Sequence, residues 1–216
     1  NPRSGAITRD TISVPTVTWE MKADNVAYIR ISSFNEKTDT EFDKVVRETT
    51  AKKPRGLVLD LRSNPGGYLD RSITVASEWL KSGVVVRERF VDNQVNEYKA
   101  KGRARFAGIP TIVLVDEGSA SGAEIVAGAL QDNGVAKLVG AKTYGKGSVQ
   151  DFQEYADGSA LKLTVAKWFT PKDRQIDKTG IAPDVTVSPM FVTSTPGSAT
   201  PYIDKGLEKA MELLLK

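Results

Sequence analysis

Three short segments of the sequence combine residue types that can do chemistry. They are the turn Ser63-Asn64-Pro65-Gly66-Gly67, the run of small residues Gly118-Ser119-Ala120-Ser121-Gly122-Ala123-Glu124, and the lysine between glycines in Thr143-Tyr144-Gly145-Lys146-Gly147-Ser148-Val149-Gln150. Paired glycines let backbone N–H groups point at one place, a serine hydroxyl can become a nucleophile, and an uncharged lysine can be its base. Each segment also has a structural interpretation, as a tight turn, a helix N-cap and a surface turn respectively.

Composition narrows the chemistry further. The 216 residues include no His and no Cys. Their absence excludes a Ser-His-Asp triad, an imidazole zinc site, a thiol nucleophile and a disulfide. Any acid–base chemistry must therefore use Asp, Glu, Lys or Tyr. The lack of Cys leaves the redox compartment open.

The lysine segment admits two interpretations. A solvated lysine is charged at neutral pH, but burial against a sheet disfavours the ammonium form, so a catalytic Lys146 is expected to be desolvated. Alternatively, residues 140–146 have the spacing of a phosphate-binding loop. That loop needs Ser or Thr where this chain has Gly147, and it must open a helix, whereas the sequence from Ser148 is strand-like. The phosphate-binding interpretation is therefore the weaker one.

The order of apolar and amphipathic segments predicts an α/β fold. Apolar runs alternate with helical segments up to residue 140, which favours a parallel sheet flanked by helices. The predicted strands there are 26–31, 56–61, 84–90, 111–115 and 137–139, and the predicted helices are 38–51, 69–80 and 123–131. Beyond them we expect a hairpin of strands 148–155 and 161–169 and an amphipathic helix over 202–215. Ligands gather beyond the carboxyl ends of such strands, so the turns after 61 and 115 are the expected site.

Charge and hydropathy argue against other classes. The net charge is only +3, and the basic cluster Lys99, Lys101, Arg103 and Arg105 is interpreted as a solvated loop, with no nucleic-acid partner. No apolar run approaches the roughly 20 residues that span a bilayer, and the first residues do not have a leader pattern. With 40% hydrophobic residues, the chain is expected to fold as one soluble globular domain.

Taken together, the three segments resemble the carboxy-terminal processing (tail-specific) serine peptidases. The order and spacing agree, Asp60-Leu61-Arg62 precedes the first turn as in that family, and a family-like run extends from Thr170 to Asp184. The resemblance covers roughly residues 7–190. It implies a crotonase/ClpP-like α/β core, with a mostly parallel sheet flanked by helices and a β-rich C-terminal part.

The resemblance also implies catalytic roles. The second serine of Ser119-Ala120-Ser121 would be the nucleophile, which leaves Ser119 without a catalytic role, and Lys146 would be the general base. Gln150 would orient Lys146, because alternation along a strand puts positions 146 and 150 on one face.

An oxyanion hole and supporting residues follow from the same resemblance. The N–H of Gly67, with Gly66 as the near alternative, and the N–H of Gly122 would bind the oxyanion. The family often has Ala at position 122 and Gly at position 173, where this chain has Gly122 and Asp173. No cofactor or metal is required. The residues expected to support the site are Glu124, Asp132 and Thr143.

The expected function is a serine endopeptidase that cleaves near protein C-termini through a Ser-Lys dyad and an acyl-enzyme. The alternative is a non-catalytic module on the same scaffold that binds peptides or other ligands.

Residues 14–216 would be the peptidase core. Residues 7–14 alternate like a single strand without a partner. The resemblance implies that residues 1–13 are a linker or the remnant of a PDZ-domain strand. In the family, a PDZ domain or membrane tether accompanies this core, substrates are proteins or peptides with accessible C-termini, and the location is extracytoplasmic: periplasm, cell envelope or thylakoid lumen. The oligomeric state is left open.

Overall fold

The computed structural model describes residues 14–194 and 202–216 and contains a mostly parallel six-stranded sheet flanked by helices. The predicted α/β fold is therefore confirmed. In chain order the elements are β1 (Val17–Lys22), β2 (Val26–Ile31), α1 (Thr38–Ala51), β3 (Gly56–Asp60), α2 (Leu69–Ala76), β4 (Val84–Phe90), β5 (Val95–Lys99), β6 (Thr111–Val115), α3 (Gly122–Asp132), β7 (Lys137–Gly140), β8 (Ser148–Glu154), β9 (Ala160–Phe169), β10 (Val185–Thr186), β11 (Phe191–Thr193), β12 (Tyr202–Asp204) and α4 (Lys205–Leu214).

The six-stranded sheet has the order β1-β2-β3-β6-β7-β10. Only the β1–β2 pair is antiparallel, and all other neighbours run parallel. β3 and β6 are buried along their whole length, which explains why their sequences are continuous apolar runs without alternation. Helices α1, α2 and α3 contribute to the larger apolar core, whereas α4 packs on a second cluster that includes Val58, Ile112 and Leu114.

The β-rich part forms a separate antiparallel sheet in the order β5-β4-β9-β8. The predicted hairpin is confirmed, since β8 pairs antiparallel with β9. Its register shifts between Val149 and Gln150, which marks an irregularity in the ladder. β8 lies at the edge of this sheet.

Two predicted helix boundaries are wrong for reasons that lie elsewhere in the chain. α2 ends at Ala76, not at 80, because the backbone N–H groups of Ala104 and Phe106 take the carbonyls of Ser77 and Glu78, at 2.9 and 2.8 Å. α4 begins at Lys205, not at 202, because residues 202–204 pair with β11 as a strand.

Several strands, among them β1, β10, β11 and β12, were not predicted, and one predicted strand lies almost entirely beyond the described residues. In β1 the apolar Val17, Trp19 and Met21 alternate with polar residues, a signal that could have predicted it. The strand expected over 7–14 falls, except for Val14, outside the described residues, as does the proposed PDZ remnant. Within the part of the chain that the structure describes, no helix is long and apolar enough to cross a membrane.

The basic cluster is exposed to solvent at Lys99, Lys101 and Arg103, but the side chains of two of its members are hydrogen-bonded within the protein. Arg105 donates to both oxygens of the buried Glu78, at 2.8 and 2.6 Å, and Lys101 donates to the Thr74 hydroxyl at 2.6 Å. The hydrogen bond from Arg105 also holds the pKa of Asp43 below its usual value. These contacts hold Arg105 and Lys101 to the rest of the protein.

Candidate active site

The three chemically interesting segments converge at one edge of the parallel sheet. β3, β6 and β7 are neighbours, with Asp60 opposite Leu114 and Val115 opposite Gly140. Because parallel strands share a carboxyl edge, the chain leaves all three strands at the same place. The N–H of Ala120 donates to the Asn64 carbonyl at 2.9 Å, and the N–H of Tyr144 donates to the Ser119 carbonyl at 3.0 Å. The expected location of the site is thus where the three turns touch.

Ser121 lies at a strained position immediately before α3. Its φ of 51° and ψ of −115° are unusual for a residue with a side chain, and such strain is often found at functional sites. The glycine turn packs directly on it, since a Cβ added to Gly66 would lie 2.6 Å from the Ser121 Cβ. Gly66 therefore has to be a glycine for two reasons, this close approach and its φ of +95°.

Ser119 is fully buried and its hydroxyl is already used. It donates to the Leu61 carbonyl at 2.8 Å and accepts from the Asp116 N–H at 3.0 Å. These bonds join the turns that follow β3 and β6. Ser119 is thus in a structural position, whereas Ser121 is only half-buried.

Glu124 connects the serine turn to the lysine loop. Its side chain is fully buried, and its Oε2 accepts hydrogen bonds from the backbone N–H of Ser121 at 2.9 Å and from that of Lys146 at 2.8 Å. Its Oε1 accepts from the Thr143 hydroxyl at 2.6 Å and from the Gly145 N–H at 2.7 Å. One carboxylate therefore both caps α3 and holds the loop that carries Lys146.

The lysine loop is hydrogen-bonded to β9 and to the segment that follows it. Lys178 donates from its N–H to the Gly145 carbonyl at 2.8 Å, and Trp168 donates to the Gly147 carbonyl at 2.7 Å. A Cβ on Gly147 would lie only 2.1 Å from the backbone nitrogen of Asp177. The glycines beside Lys146 are thus required by close packing of the main chain.

The side chain of Lys146 is exposed, which contradicts the expectation that it is desolvated. The buried Glu124 and the 176–180 segment hold the loop through its backbone, and the lysine side chain extends outward. Among the described residues, no hydrogen bond joins the Lys146 amine to the Ser121 hydroxyl.

The prediction that Lys146 and Gln150 lie on one face of the same strand is wrong. β8 begins at Ser148, so Lys146 lies in the preceding loop, and the register shift between Val149 and Gln150 interrupts the alternation. Gln150 is exposed and lies opposite Thr164. The structure therefore does not bring Gln150 and Lys146 together by strand geometry.

The backbone N–H groups of the three candidate oxyanion glycines differ in availability. The N–H of Gly66 donates to the Asn64 side-chain oxygen at 2.8 Å. Within the described residues, the N–H groups of Gly67 and Gly122 have no protein acceptor. Position 67 also has no room for a side chain, because a Cβ there would lie 1.9 Å from the Phe34 carbonyl oxygen.

Two further residues from the sequence prediction have structural partners. Asp132, at the end of α3, accepts from the Lys172 N–H at 2.7 Å and pairs with Arg174. Asp173 has a φ of 64°, which explains why glycine suits this position, and its carboxylate pairs with Arg89 at 2.6 Å. Both contacts fix the loop after β9.

A buried ionic network at the end of β3 was not anticipated. The fully buried Asp60 accepts from the Tyr28 hydroxyl and from the Arg62 Nη2 at 2.6 Å. Arg62 also donates to both oxygens of Asp204 at 2.8 Å, which ties the start of α4 to the turn. Burial raises the pKa of Tyr28 to about 12, and the neighbouring Asp60 charge adds to the shift.

The phosphate-loop interpretation is wrong, because the residues after Lys146 form a strand and not a helix. Within residues 14–194 and 202–216, no group of three or more Asp or Glu side chains is placed to hold a metal ion. The geometry instead presents a serine, a nearby lysine loop and free backbone donors.

A strained serine between a parallel strand and a helix, beside a glycine turn with free N–H groups, is an arrangement that serine hydrolases use. The chain belongs to Peptidase family S41, whose sequence model matches residues 25–187. S41 is a family of serine proteases, so the resemblance seen in the sequence is confirmed.

Individual relatives agree with this assignment. The chain is 42% identical over 83% of its length to the carboxy-terminal processing protease CtpA of Bacillus subtilis, and 36% identical over 99% of its length to the carboxyl-terminal-processing protease of Synechocystis. The solved structure of the photosystem II D1 C-terminal processing protease superimposes with a TM-score of 0.78 at 31% identity over 84% of the chain. The chain spans 39%, 50% and 50% of these three proteins respectively.

Proposed function

We propose that this chain is the catalytic core of a serine endopeptidase in which Ser121 is the nucleophile and Lys146 the general base. The observation that carries the proposal is the shared acceptor Glu124 Oε2, which binds the backbone N–H of both residues at 2.9 and 2.8 Å. The two backbone nitrogens can be no further apart than the sum of these distances. A lysine side chain is long enough to bridge that separation from its loop.

In the proposed reaction, uncharged Lys146 accepts the proton of the Ser121 hydroxyl as its oxygen attacks a peptide carbonyl. The carbonyl π electrons move to oxygen, and the tetrahedral intermediate collapses when the C–N bond breaks and the ammonium protonates the leaving amine. Water, deprotonated by the same amine, then hydrolyses the acyl-enzyme and regenerates the serine. No cofactor takes part.

Because Lys146 is exposed, its side chain has to change position before it can act as the base. Removal from water favours the uncharged form of an amine, so rotation of Lys146 toward Ser121 and exclusion of water by the substrate must accompany catalysis. Gln150 is proposed to hold the rotated amine through its side-chain amide. Thr143 and Asp132 support the loops on either side.

The free N–H groups of Gly67 and Gly122 are the proposed oxyanion donors. Gly122 is the first residue of α3, so the positive end of the helix dipole reinforces its donor. Loss of a single such donor typically lowers turnover by about 10²–10³-fold.

The proposed substrates are proteins or peptides with accessible C-termini, cleaved near that end, because the relatives are named as carboxy-terminal processing proteases. An extracytoplasmic location belongs to the same proposal. One relative, from Arabidopsis thaliana, is named as chloroplastic.

The test is hydrolysis of an unfolded protein substrate such as β-casein, followed by mass spectrometry of the products. We expect Ser121→Ala and Lys146→Ala each to abolish cleavage. The matched controls Ser82→Ala and Lys142→Ala change exposed residues outside the site and should retain full activity. Cleavage that survives either active-site substitution would contradict the assignment, and substrate binding without turnover in the wild type would favour the non-catalytic binding module.

A further inference from the structure

Asn64 is fully buried and makes hydrogen bonds to three different parts of the candidate site. Its side-chain Nδ2 donates to the Ile31 carbonyl at 2.8 Å, and its side-chain Oδ1 accepts from the Gly66 N–H at 2.8 Å. Its backbone carbonyl accepts from the Ala120 N–H at 2.9 Å. One residue thus joins the end of β2, the glycine turn and the residue that precedes Ser121.

From these contacts we propose that Asn64 is a positioning residue that determines which glycine N–H faces the reacting carbonyl. This inference rests on the proposed function. By taking the Gly66 N–H, Asn64 Oδ1 turns that donor inward and leaves the next one, on Gly67, without a protein acceptor. Through its backbone carbonyl, Asn64 also fixes the distance between that donor and the serine turn.

Close packing around the glycine turn limits the positions that the Gly66 and Gly67 N–H groups can take. A Cβ on Gly66 would lie 2.7 Å from the backbone nitrogen of Gly122, the second proposed donor. Gly67 is held from the other side, where Phe34 donates to the Gly66 carbonyl at 2.9 Å and Tyr68 donates to the Phe34 carbonyl at 2.8 Å. The Gly67 N–H shares a peptide unit with the Gly66 carbonyl, so the Phe34 bond supports it on one side. Loss of the Asn64 side chain frees the adjoining unit, which carries the Gly66 N–H, and so removes the second support for the direction of the Gly67 N–H.

Amide hydrogen exchange tests the selection without any need for activity. In glycine-labelled wild-type protein, NMR should show a Gly66 N–H that is protected from exchange and a Gly67 N–H that exchanges quickly. Asn64→Ala should remove the Gly66 protection. Asn64→Asp keeps an acceptor oxygen and should retain most of it. Equal protection of the two amides in the wild type, or unchanged Gly66 protection in Asn64→Ala, would overturn the proposal.

Kinetics test the consequence for the reaction. Asn64→Ala should lower kcat by about 10²-fold, with KM within about twofold, because a displaced donor stabilises only the oxyanion. The affinity of a peptide aldehyde, whose adduct with a serine carries an oxyanion, should fall in parallel with kcat. Val46→Ala, a buried substitution in α1, provides a control for general destabilisation. If Val46→Ala lowers kcat as much at a comparable melting temperature, Asn64 is merely structural and the proposal fails.

The two proposals can fail separately. If wild-type protein neither cleaves a substrate nor reacts at Ser121, the proposed function is wrong, and the exchange experiment still decides whether Asn64 selects Gly67. If the wild type cleaves but Asn64→Ala cleaves equally well, only the role of Asn64 is refuted. Should Asn64→Ala fail to fold, the wild-type exchange pattern and Asn64→Asp decide the question.

Discussion

Replacement of Glu124 by glutamine tests whether one buried carboxylate joins the serine turn to the lysine loop. In the wild type its two oxygens accept four hydrogen bonds, three from backbone N–H groups and one from the Thr143 hydroxyl. Glutamine has the same shape but only one acceptor oxygen. In one orientation its NH2 group would face two backbone N–H donors. In the other it would face the Gly145 N–H and the Thr143 hydroxyl, which can turn to accept, so one or two of the four bonds are lost.

The magnitude follows from the number of bonds lost. A hydrogen bond to a charged acceptor contributes about 1.5–3 kcal/mol, so Glu124→Gln should lower the free energy of unfolding by about 1.5–6 kcal/mol. Domains of this kind have a total of about 5–15 kcal/mol, so the variant should still fold, with a much lower melting temperature. Urea unfolding at neutral pH, followed by circular dichroism, measures the difference.

The matched control is Glu117→Gln, an exposed glutamate in the turn that leads to the same helix, which should change stability by no more than about 0.5 kcal/mol. Activity should fall in Glu124→Gln even where the protein is fully folded, because Ser121 and Lys146 lose their common acceptor. A Glu124→Gln protein within about 1 kcal/mol of the wild type would refute the reasoning.

Three other predictions concern single contacts. Gly122→Ala places a Cβ 2.4 Å from the Ser72 hydroxyl oxygen and 3.1 Å from the Phe34 Cδ2, so it should be destabilising alone. A Ser72→Ala background removes the first contact and should recover part of that loss; additive effects in urea unfolding of the four proteins would contradict this coupling. Ser119→Ala should lower the free energy of unfolding by about 1–3 kcal/mol yet keep proteolysis, and loss of all cleavage by folded protein would reverse the roles of Ser119 and Ser121. Because the pKa of Tyr28 is raised to about 12, its contribution to stability is fully present below about pH 10 and is lost as pH rises toward 12. Tyr28→Phe should therefore reduce the fall of unfolding free energy with pH in this range by up to about 1.4 kcal/mol per pH unit. An unchanged pH dependence of unfolding would show that Asp60 and burial do not control this titration.

Much of the fold was predictable because local pattern and tertiary structure agree. α1 and β4 have the predicted bounds, and β6 is the expected apolar run. The meeting of the turns after β3 and β6 also followed from parallel topology, whereas the lysine loop was placed with them by the family resemblance. By contrast, α2 ends early because a loop some 30 residues downstream captures its carbonyls, a long-range event that periodicity does not report.

The candidate site was predictable in its composition but not in its supports. Sequence reasoning placed Ser121, the glycine turn and the lysine loop together, and the structure does the same. It could not show that Lys146 is exposed, because exposure depends on how the loop packs on the 176–180 segment. It also could not show that Asn64 rather than solvent takes the Gly66 N–H, since that bond depends on the turn's three-dimensional path.

The contact between Gly147 and the backbone of Asp177 limits how far the protein can be shortened. Every residue of the proposed dyad and oxyanion hole is numbered 146 or lower, yet the loop that presents the base leans on main chain from Ile176 to Gly180. A fragment ending at residue 160 would contain the whole proposed dyad and oxyanion hole. It would lack residues 176–180, which hold the loop that carries Lys146. Minimal active fragments should therefore extend at least through Gly180.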